Sequence, residues 1–480
     1  MMDKQRITVA AGDGIGPELL RAVLHVFEGA NVPLDYDVVE VGEQVYLKGI
    51  TTGIPTDAWD VIRRNKVMLK APITTPLGGG YKSINVTLRK ALGLFANVRP
   101  VKAYTPYVPS NFPKLDMVIV RENEEDLYGG IEYQQTREMT VALKLISQPG
   151  SESIIRYAFE YARAYGRKAV TCMSKNNIMK ITDGLFERTF QAVAKEYPDI
   201  TADHMIIDIG AARVAAKPDT LDVIVTPNLY GDIISDVAAQ VSGSVGLGGS
   251  ANVGRTSAMF EAIHGSAPKW TGKDASNPSG FLQAAVMMLV HLGLADYGEK
   301  IHNAWLRTLE DGYHTRDIYR EGVSVQKVGT LGFADAIIAR LGQLPQQLEP
   351  VSFKAGSMKI TLSPAAPVKK TFSGVDVYLD WDPDGRDPRK IGQAMQAVGG
   401  GGLKLHMVTN RGVQVYPGGF PETFLTDFWC ARYFATGEGV GNPQVIELLS
   451  RIQAAGFEVV KTENLYAFDG ERGYSVDAGE

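Results

Sequence analysis

Short apolar runs at 7–10, 34–41, 67–70, 115–120, 169–173, 205–208 and 223–226 alternate with stretches of helical pattern. Apolar strands separated by helices predict an α/β fold with a largely buried sheet. Several runs end in a burst of polar residues. Arg121-Glu122-Asn123-Glu124-Glu125-Asp126-Leu127-Tyr128 follows one, Ser174-Lys175-Asn176-Asn177 another, and Pro227-Asn228-Leu229-Tyr230-Gly231-Asp232 a third. Ligand sites of open α/β sheets lie at such carboxyl ends.

At 480 residues the chain is long enough for two to four domains. A net charge of -5 and a pI near 5.9 give no footprint for nucleic acid. Cys172 and Cys430 form neither a metal spacing nor a disulfide framework, which fits a reducing compartment. The apolar run 281–295 contains Gln283 and His291 and is too short to span a bilayer, so it reads as a core or interface helix. No apolar signal core precedes the first strand. The expectation is a cytoplasmic chain without membrane or nucleic-acid partners.

The segment 74–89, TTPLGGGYKSINVTLR, joins a glycine-rich turn to a helix start. Gly78, Gly79 and Gly80 allow close approach of backbone to a ligand. Asn85 and Arg89 lie four apart on one helix face, with Ser83 at its start, an arrangement suited to carboxylates. Arg99 and Arg121 add cations nearby. The turn at 12–18, GDGIGPE, lacks the third glycine of a dinucleotide fingerprint, which excludes a standard Rossmann fold there.

Asp232 and Asp236 sit one helical turn apart, so both carboxylates can face one point and hold Mg²⁺ or Mn²⁺. The same placement also favours a helix dipole without any metal. Asp208, read as the end of its own strand, offers a third carboxylate. Lys175 and Tyr128, each just past a strand, suit proton transfer, or serve as an ordinary surface lysine and half-buried tyrosine. His264-Gly265-Ser266-Ala267-Pro268-Lys269 is a loop suited to adenine or phosphate.

Read together, these pieces resemble the NADP-dependent isocitrate dehydrogenases of the β-decarboxylating dehydrogenase family. The matching motifs are GDGIGPE at 12–18, TTPLGGGYKSINVTLR at 74–89, RENEEDLYGGIE at 121–132, SKNNIMK at 174–180, NLYGDIISD at 228–236 and EAIHGSAPKWTGKDASNPSG at 261–280. The resemblance covers about residues 5–342, and the longer form looks like a bacterial subgroup. It implies that Thr75, Ser83, Asn85, Arg89, Arg99 and Arg121 bind isocitrate. Asp232 and Asp236 would hold Mg²⁺ or Mn²⁺, with Asp208 and Lys175 contributed by the partner subunit. Lys175 would serve the hydroxyl proton and Tyr128 the carbon left after CO₂ departs. His264, Gly265, Ser266, Ala267, Lys269, Trp270, Asn277, Arg316 and Arg320 would bind NADP. Trp270 stands where a tyrosine is usual, and Arg316 where a tyrosine pairs with an arginine. Sites shared between subunits imply a homodimer or larger homo-oligomer. Homoisocitrate, isopropylmalate or tartrate oxidation are the alternative activities, and a non-catalytic scaffold the alternative class.

The implied fold is an isocitrate/isopropylmalate dehydrogenase-like mixed sheet: a large cofactor-binding domain from 1–97 and 257–343, and a small domain from 98–256 carrying the metal site. The stretch 243–256 is Gly/Ser-rich, 261–280 reads as an irregular loop, and Arg316 and Arg320 lie one helical turn apart. Residues 344–367 hold several prolines and read as a linker. Residues 368–480 read as β-α-β-β-α-β, with strands at 372–380, 403–408, 413–416 and 457–466, a ferredoxin-like α+β module. Its expected role is assembly or regulation, with strands 375–379 and 459–463 pairing across subunits.

Overall fold

The structure is a computed structural model that describes residues 4–75, 83–354, 358, 360–364 and 366–475. The expected wrapping of Gly78, Gly79 and Gly80 about a ligand falls outside these residues. The chain divides into two compact units, Met1–Gly129 with Leu145–Leu362, and Gly130–Lys144 with Ser363–Glu480.

The first unit is built on a ten-stranded mixed sheet. Its strands are β1 (Gln5–Ala10), β2 (Leu34–Val39), β3 (Val67–Lys70), β4 (Ala96–Lys102), β5 (Asp116–Glu122), β6 (Ala169–Ser174), β7 (Thr201–Ile206), β8 (Val223–Thr226), β9 (Gly249–Val253) and β10 (Ala258–Ala262). Their order is β2-β1-β3-β10-β9-β4-β5-β8-β6-β7. Two parallel blocks flank an antiparallel centre, because β9 runs antiparallel to both β10 and β4, and β4 antiparallel to β5. This is not the Rossmann order, in agreement with the missing glycine.

Helices α1 (Gly16–Gly29), α2 (Ile84–Ala91), α3 (Gln148–Ala164), α4 (Ile207–Ala216), α5 (Asn228–Ser242) and α6 (Ser279–His291) cover the sheet. Ser147 starts α3 by accepting from Gly150 N at 3.1 Å, with Pro149 in the first turn. In α6, Phe281, Leu282, Ala284, Ala285, Val286, Met288 and Leu289 are all buried, so the apolar run is a core helix. With both sheet faces covered, the strands read as near-continuous apolar runs.

Several sequence expectations change. The Gly/Ser-rich stretch holds β9, a fully buried central strand, because its polar residues face a buried hydrogen-bonded network rather than water. Glu261 lies inside β10, so the irregular loop begins after it. The strand expected at 205–208 is β7, and Asp208 instead lies in the first turn of α4.

The second unit has its own core and a six-stranded antiparallel sheet. Its strands are β11 (Lys370–Asp380), β12 (Leu403–Asn410), β13 (Val413–Tyr416), β14 (Phe428–Ala435), β15 (Glu458–Phe468) and β16 (Glu471–Arg472), in the order β13-β12-β14-β11-β15-β16. With α7 (Pro388–Ala397) and α8 (Asn442–Ala454), strands β11, β12, β14 and β15 give the ferredoxin-like order. The expected third strand, 413–416, is only an edge addition; the true one is β14. As a central strand β14 has no clean two-residue alternation to betray it. The segments 375–379 and 459–463 pair with each other, Val377 opposite Thr462. With β14 on its other side, the segment 375–379 has no free edge left for a second subunit.

Residues 130–144, placed by sequence within 98–256, belong to this second unit. They form a hairpin, Glu132–Gln134 paired with Thr140–Ala142. Thr136 Oγ1 donates to Asp427 at 2.5 Å, and Glu138 N donates to the same carboxylate at 3.1 Å. Arg386 binds Glu138 and Arg137 binds Asp382, each at 2.7 Å.

Candidate functional site

The carboxyl ends of β5 and β8 lie side by side as parallel neighbours, so the chain leaving each strand delivers its polar burst to one crevice. From β8 the chain enters α5, whose first turns carry Asp232 and Asp236. From β5 it supplies Arg121 and then Tyr128. Arg121 donates through Nη1 to Asp232 Oδ1, and through Nε and Nη2 to Asn228 Oδ1 at 3.0 and 2.8 Å. Tyr128 OH donates to Asp232 Oδ2 at 2.5 Å, and Arg121 lies 4.8 Å from the centre of its ring. Gly231 makes room: a Cβ there would come within 2.5 Å of Arg121 Cγ.

Arg99, on β4, donates through Nε to Asn97 Oδ1 at 2.7 Å and through Nη1 to Ser235 Oγ at 2.5 Å. It stands 3.6 Å from Asp232 and 3.8 Å from Asp236. Arg89, on α2, binds Glu261 at 2.9 Å, whose other oxygen takes Lys70 Nζ at 2.7 Å. Among the described residues, buried Arg89 Nε and Asn85 Oδ1 have no hydrogen-bond partner, as polar atoms awaiting a ligand would. Ser83 caps α2, its Oγ accepting from Val86 N at 3.5 Å, and Thr75 is exposed.

The electrostatics favour an anion. Burial, then the like charge of Arg121, pulls Arg99 down to about 10, so it remains charged at neutral pH. Burial and Arg89 lower Arg121 in the same way. Burial alone would raise the Asp232 carboxyl, but Arg121, Arg99 and the Tyr128 hydroxyl hold it below the usual carboxylate range. Asp236 is raised by burial against the pull of Arg99. Burial outweighs Arg121 in raising Tyr128, which keeps its proton. Arginines buried within range of one another's charge persist where a ligand neutralises them.

Lys175 and Asp208 form a separate pair at 2.8 Å, beyond the ends of β6 and β7. Asp183 accepts from Lys175 N at 2.6 Å and fixes that turn. Among the described residues no hydrogen bond or ion pair joins this pair to Asp232, and no three acidic, histidine or cysteine side chains gather as a metal site. Asp232 and Asp236 fit a hard dication by donor type but bring only two carboxylates to it. Ile178, Ile209 and Ile233, close in sequence to these groups, are exposed.

The loop after β10 carries the nucleotide candidates. Ser266 Oγ hydrogen-bonds with Thr74 Oγ1 at 2.8 Å, and Ser266 O accepts from Ile15 N at 2.9 Å. A Cβ on Gly14 would fall 2.1 Å from Ser266 O, so the 12–18 turn supports this loop at close quarters. Ala267 adopts φ 40°, turning the chain into the short helix Pro268–Trp270. Arg316 stacks 3.7 Å from the Trp270 ring centre, with Lys273 at 5.1 Å. Lys269 and Gly265 are exposed. Asn277 donates to Asp317 at 3.0 Å. Among the described residues, buried His264 Nε2 has no partner, and burial lowers the ring's affinity for a proton. Arg316 lies in a turn and Arg320 just beyond it, not on an α-helix, and Arg320 donates to Pro106 O at 2.5 Å. Arg316 and Lys273 over one indole, with exposed Lys269 next to it in the chain, fit a phosphorylated nucleotide.

Sequence reasoning missed Lys70, Asn97, Asn252, Glu261 and Lys273 as site residues. Lys70 had a signal, a lone cation ending an apolar strand. The asparagines had none, since they look like loop residues.

A model for isocitrate/isopropylmalate dehydrogenases matches residues 6–337, and one for the C-terminal domain of bacterial isocitrate dehydrogenases matches 370–480. The NADP isocitrate dehydrogenase of Rickettsia bellii is 48% identical, with 99% of each chain covered. That of Thermus thermophilus is 43% identical over 99% of this chain and 96% of its own. A crystal structure of a Thermus thermophilus protein superposes with TM-score 0.93 at 43% identity, covering 99% of this chain and 96% of that one.

Proposed function

This chain belongs to the isocitrate/isopropylmalate dehydrogenase family, and from that premise we infer that it converts isocitrate to 2-oxoglutarate and CO₂ while reducing NADP. The observation that carries the reading is the cluster of buried Arg89, Arg99 and Arg121 around Asp232 beside Tyr128. A tricarboxylate supplies the missing negative charge, with forked hydrogen bonds from the guanidinium groups. Ser83 and Asn85 donate at the mouth of α2, and Thr75 adds a hydroxyl.

Asp232 and Asp236 offer carboxylate oxygens to Mg²⁺ or Mn²⁺, completed by Asp208 of a second copy of the chain. A dication held there would supply polarisation of the substrate hydroxyl, and NADP, when bound, would supply the hydride acceptor. Lys175, from that second copy, takes the hydroxyl proton. Arg89, Arg99 and Arg121 hold the carboxylates that remain while CO₂ departs. Tyr128, kept protonated by burial, delivers its proton to the carbon left behind. Lys269, Trp270, Arg316 and Arg320 read the extra phosphate of NADP, with His264, Gly265, Ser266, Ala267 and Asn277 around the nucleoside. Among the described residues no hydrogen bond or ion pair links Lys175 and Asp208 to Tyr128 or Asp232, which supports a homodimer or larger assembly with shared sites. Among the described residues no helix is long and apolar enough to cross a membrane; cytoplasmic residence accords with the two free cysteines.

Steady-state rates with isocitrate, homoisocitrate, isopropylmalate and tartrate, each with NADP and NAD, test this. The highest kcat/KM is expected for isocitrate with NADP. No Mg²⁺-dependent turnover of isocitrate would refute it.

A further inference from the structure

The arginines Arg89 and Arg99 arrive from different elements, α2 and β4, yet one line of buried side chains ties them together. Arg99 Nε donates to Asn97 Oδ1 at 2.7 Å. Asn97 Nδ2 donates to Asn252 Oδ1 at 3.0 Å. Asn252 Nδ2 donates to Glu261 Oε1 at 2.9 Å. The same Glu261 oxygen accepts from Arg89 at 2.9 Å. Asn97 and Asn252 are both fully buried, at 0% exposure.

Asn252 is the hub. Its oxygen also accepts from Asn123 at 3.1 Å, and its amide also donates to Met259 O at 3.2 Å. All four hydrogen-bonding positions of its side chain are used. The orientation of both amides is forced from the ends. A guanidinium only donates, so Asn97 must turn its oxygen to Arg99 and its nitrogen to Asn252. A carboxylate only accepts, so Asn252 must turn its nitrogen to Glu261. Only a side chain with an acceptor on one side and a donor on the other, at this length, completes the line.

We propose that Asn252 is a positioning residue that sets the spacing of the two substrate arginines through Asn97 and Glu261. Resting on the isocitrate reading above, it acts on the carboxylate grip and not on nucleotide binding. Asn252→Asp keeps size and shape but places a carboxylate oxygen against Glu261 and Met259 O, breaking the line at one link. Both arginines hold carboxylates in ground and transition states alike, so the loss appears in KM.

The test is steady-state kinetics on the full-length enzyme with Mg²⁺. If the wild type fails to oxidise isocitrate, the functional reading falls. If it succeeds, Asn252→Asp is expected to raise the isocitrate KM about tenfold or more, with kcat within about threefold and the NADP KM within about twofold. Ser250→Ala, which removes only an acceptor bonded by Asn97 at 2.8 Å, is expected to raise the isocitrate KM about threefold. Should Asn252→Asp not fold, Ser250→Ala decides. An isocitrate KM unchanged in the folded variants, or a parallel rise in the NADP KM, overturns the proposal.

Discussion

Each of the two units buries an arginine on a sheet strand, and the two are treated oppositely. In the second unit Arg432 meets Asp376 with two hydrogen bonds of 2.8 Å and gives a third, 2.9 Å, to Ser475 O. That is a matched fork. In the first unit Arg99 faces Asp232 and Asp236 only at 3.6 and 3.8 Å, and Arg121 shares Asp232 with it. Two cations divide one close carboxylate, and Arg89 adds a third charge within range. The fold completes the pairing of Arg432 and leaves that of Arg99 incomplete. Such incompleteness costs stability, which a bound anion restores.

Arg121→Met should reduce kcat/KM for isocitrate by about a thousandfold or more, roughly 4 kcal/mol of transition-state binding. The melting temperature should fall little or rise, since mutual repulsion is relieved. A stability loss as large as the activity loss would erase the contrast between the units.

Arg432→Ala is the reverse experiment. It strands Asp376, and breaking a buried pair costs about 3–5 kcal/mol. Chemical denaturation should show this loss, with kcat per folded molecule unchanged.

Tyr128→Phe should lower kcat about a hundredfold with the isocitrate KM little changed, as loss of a proton donor does. Because the Tyr128 pKa is raised, the wild-type alkaline limb should not show tyrosine ionisation near 10.

The smallest effect concerns acid stability. Arg386, overcoming the partial burial of the pair, together with Asp427 N, draws the Glu138 carboxyl down to about 2. Its folded value lies below the unfolded one, so the contribution is present above about 4.5 and is lost as pH falls toward 2. Glu138→Gln should flatten the second unit's stability curve across that window, read by circular dichroism. An unchanged curve would mean the Glu138 contact is not held in solution.

The sequence disclosed the sheet and the site where residue type and position agreed: an apolar strand, then a polar burst. It misled where a buried position had to be polar. Ser250 and Asn252 disguise β9 as a loop, although both lie in the core. The alternating signal fails there because the inward residues serve the arginines instead of packing. Strand β14 was missed for another reason, being apolar on both faces with Arg432 in the middle. The pairing of Arg316 with Trp270 needed the loop's path in space, since 3.7 Å of contact joins positions far apart in the chain.

The hairpin at 130–144 has a consequence for how the molecule is made. It emerges from the ribosome directly after Tyr128, while its acceptor Asp427 lies 289 residues beyond Glu138. Throughout that interval Thr136 and Glu138 have no Asp427 to bind, so the second unit can close only near the end of synthesis. Nascent chains halted before 428 should therefore expose the hairpin to protease, and full-length chains should shield it.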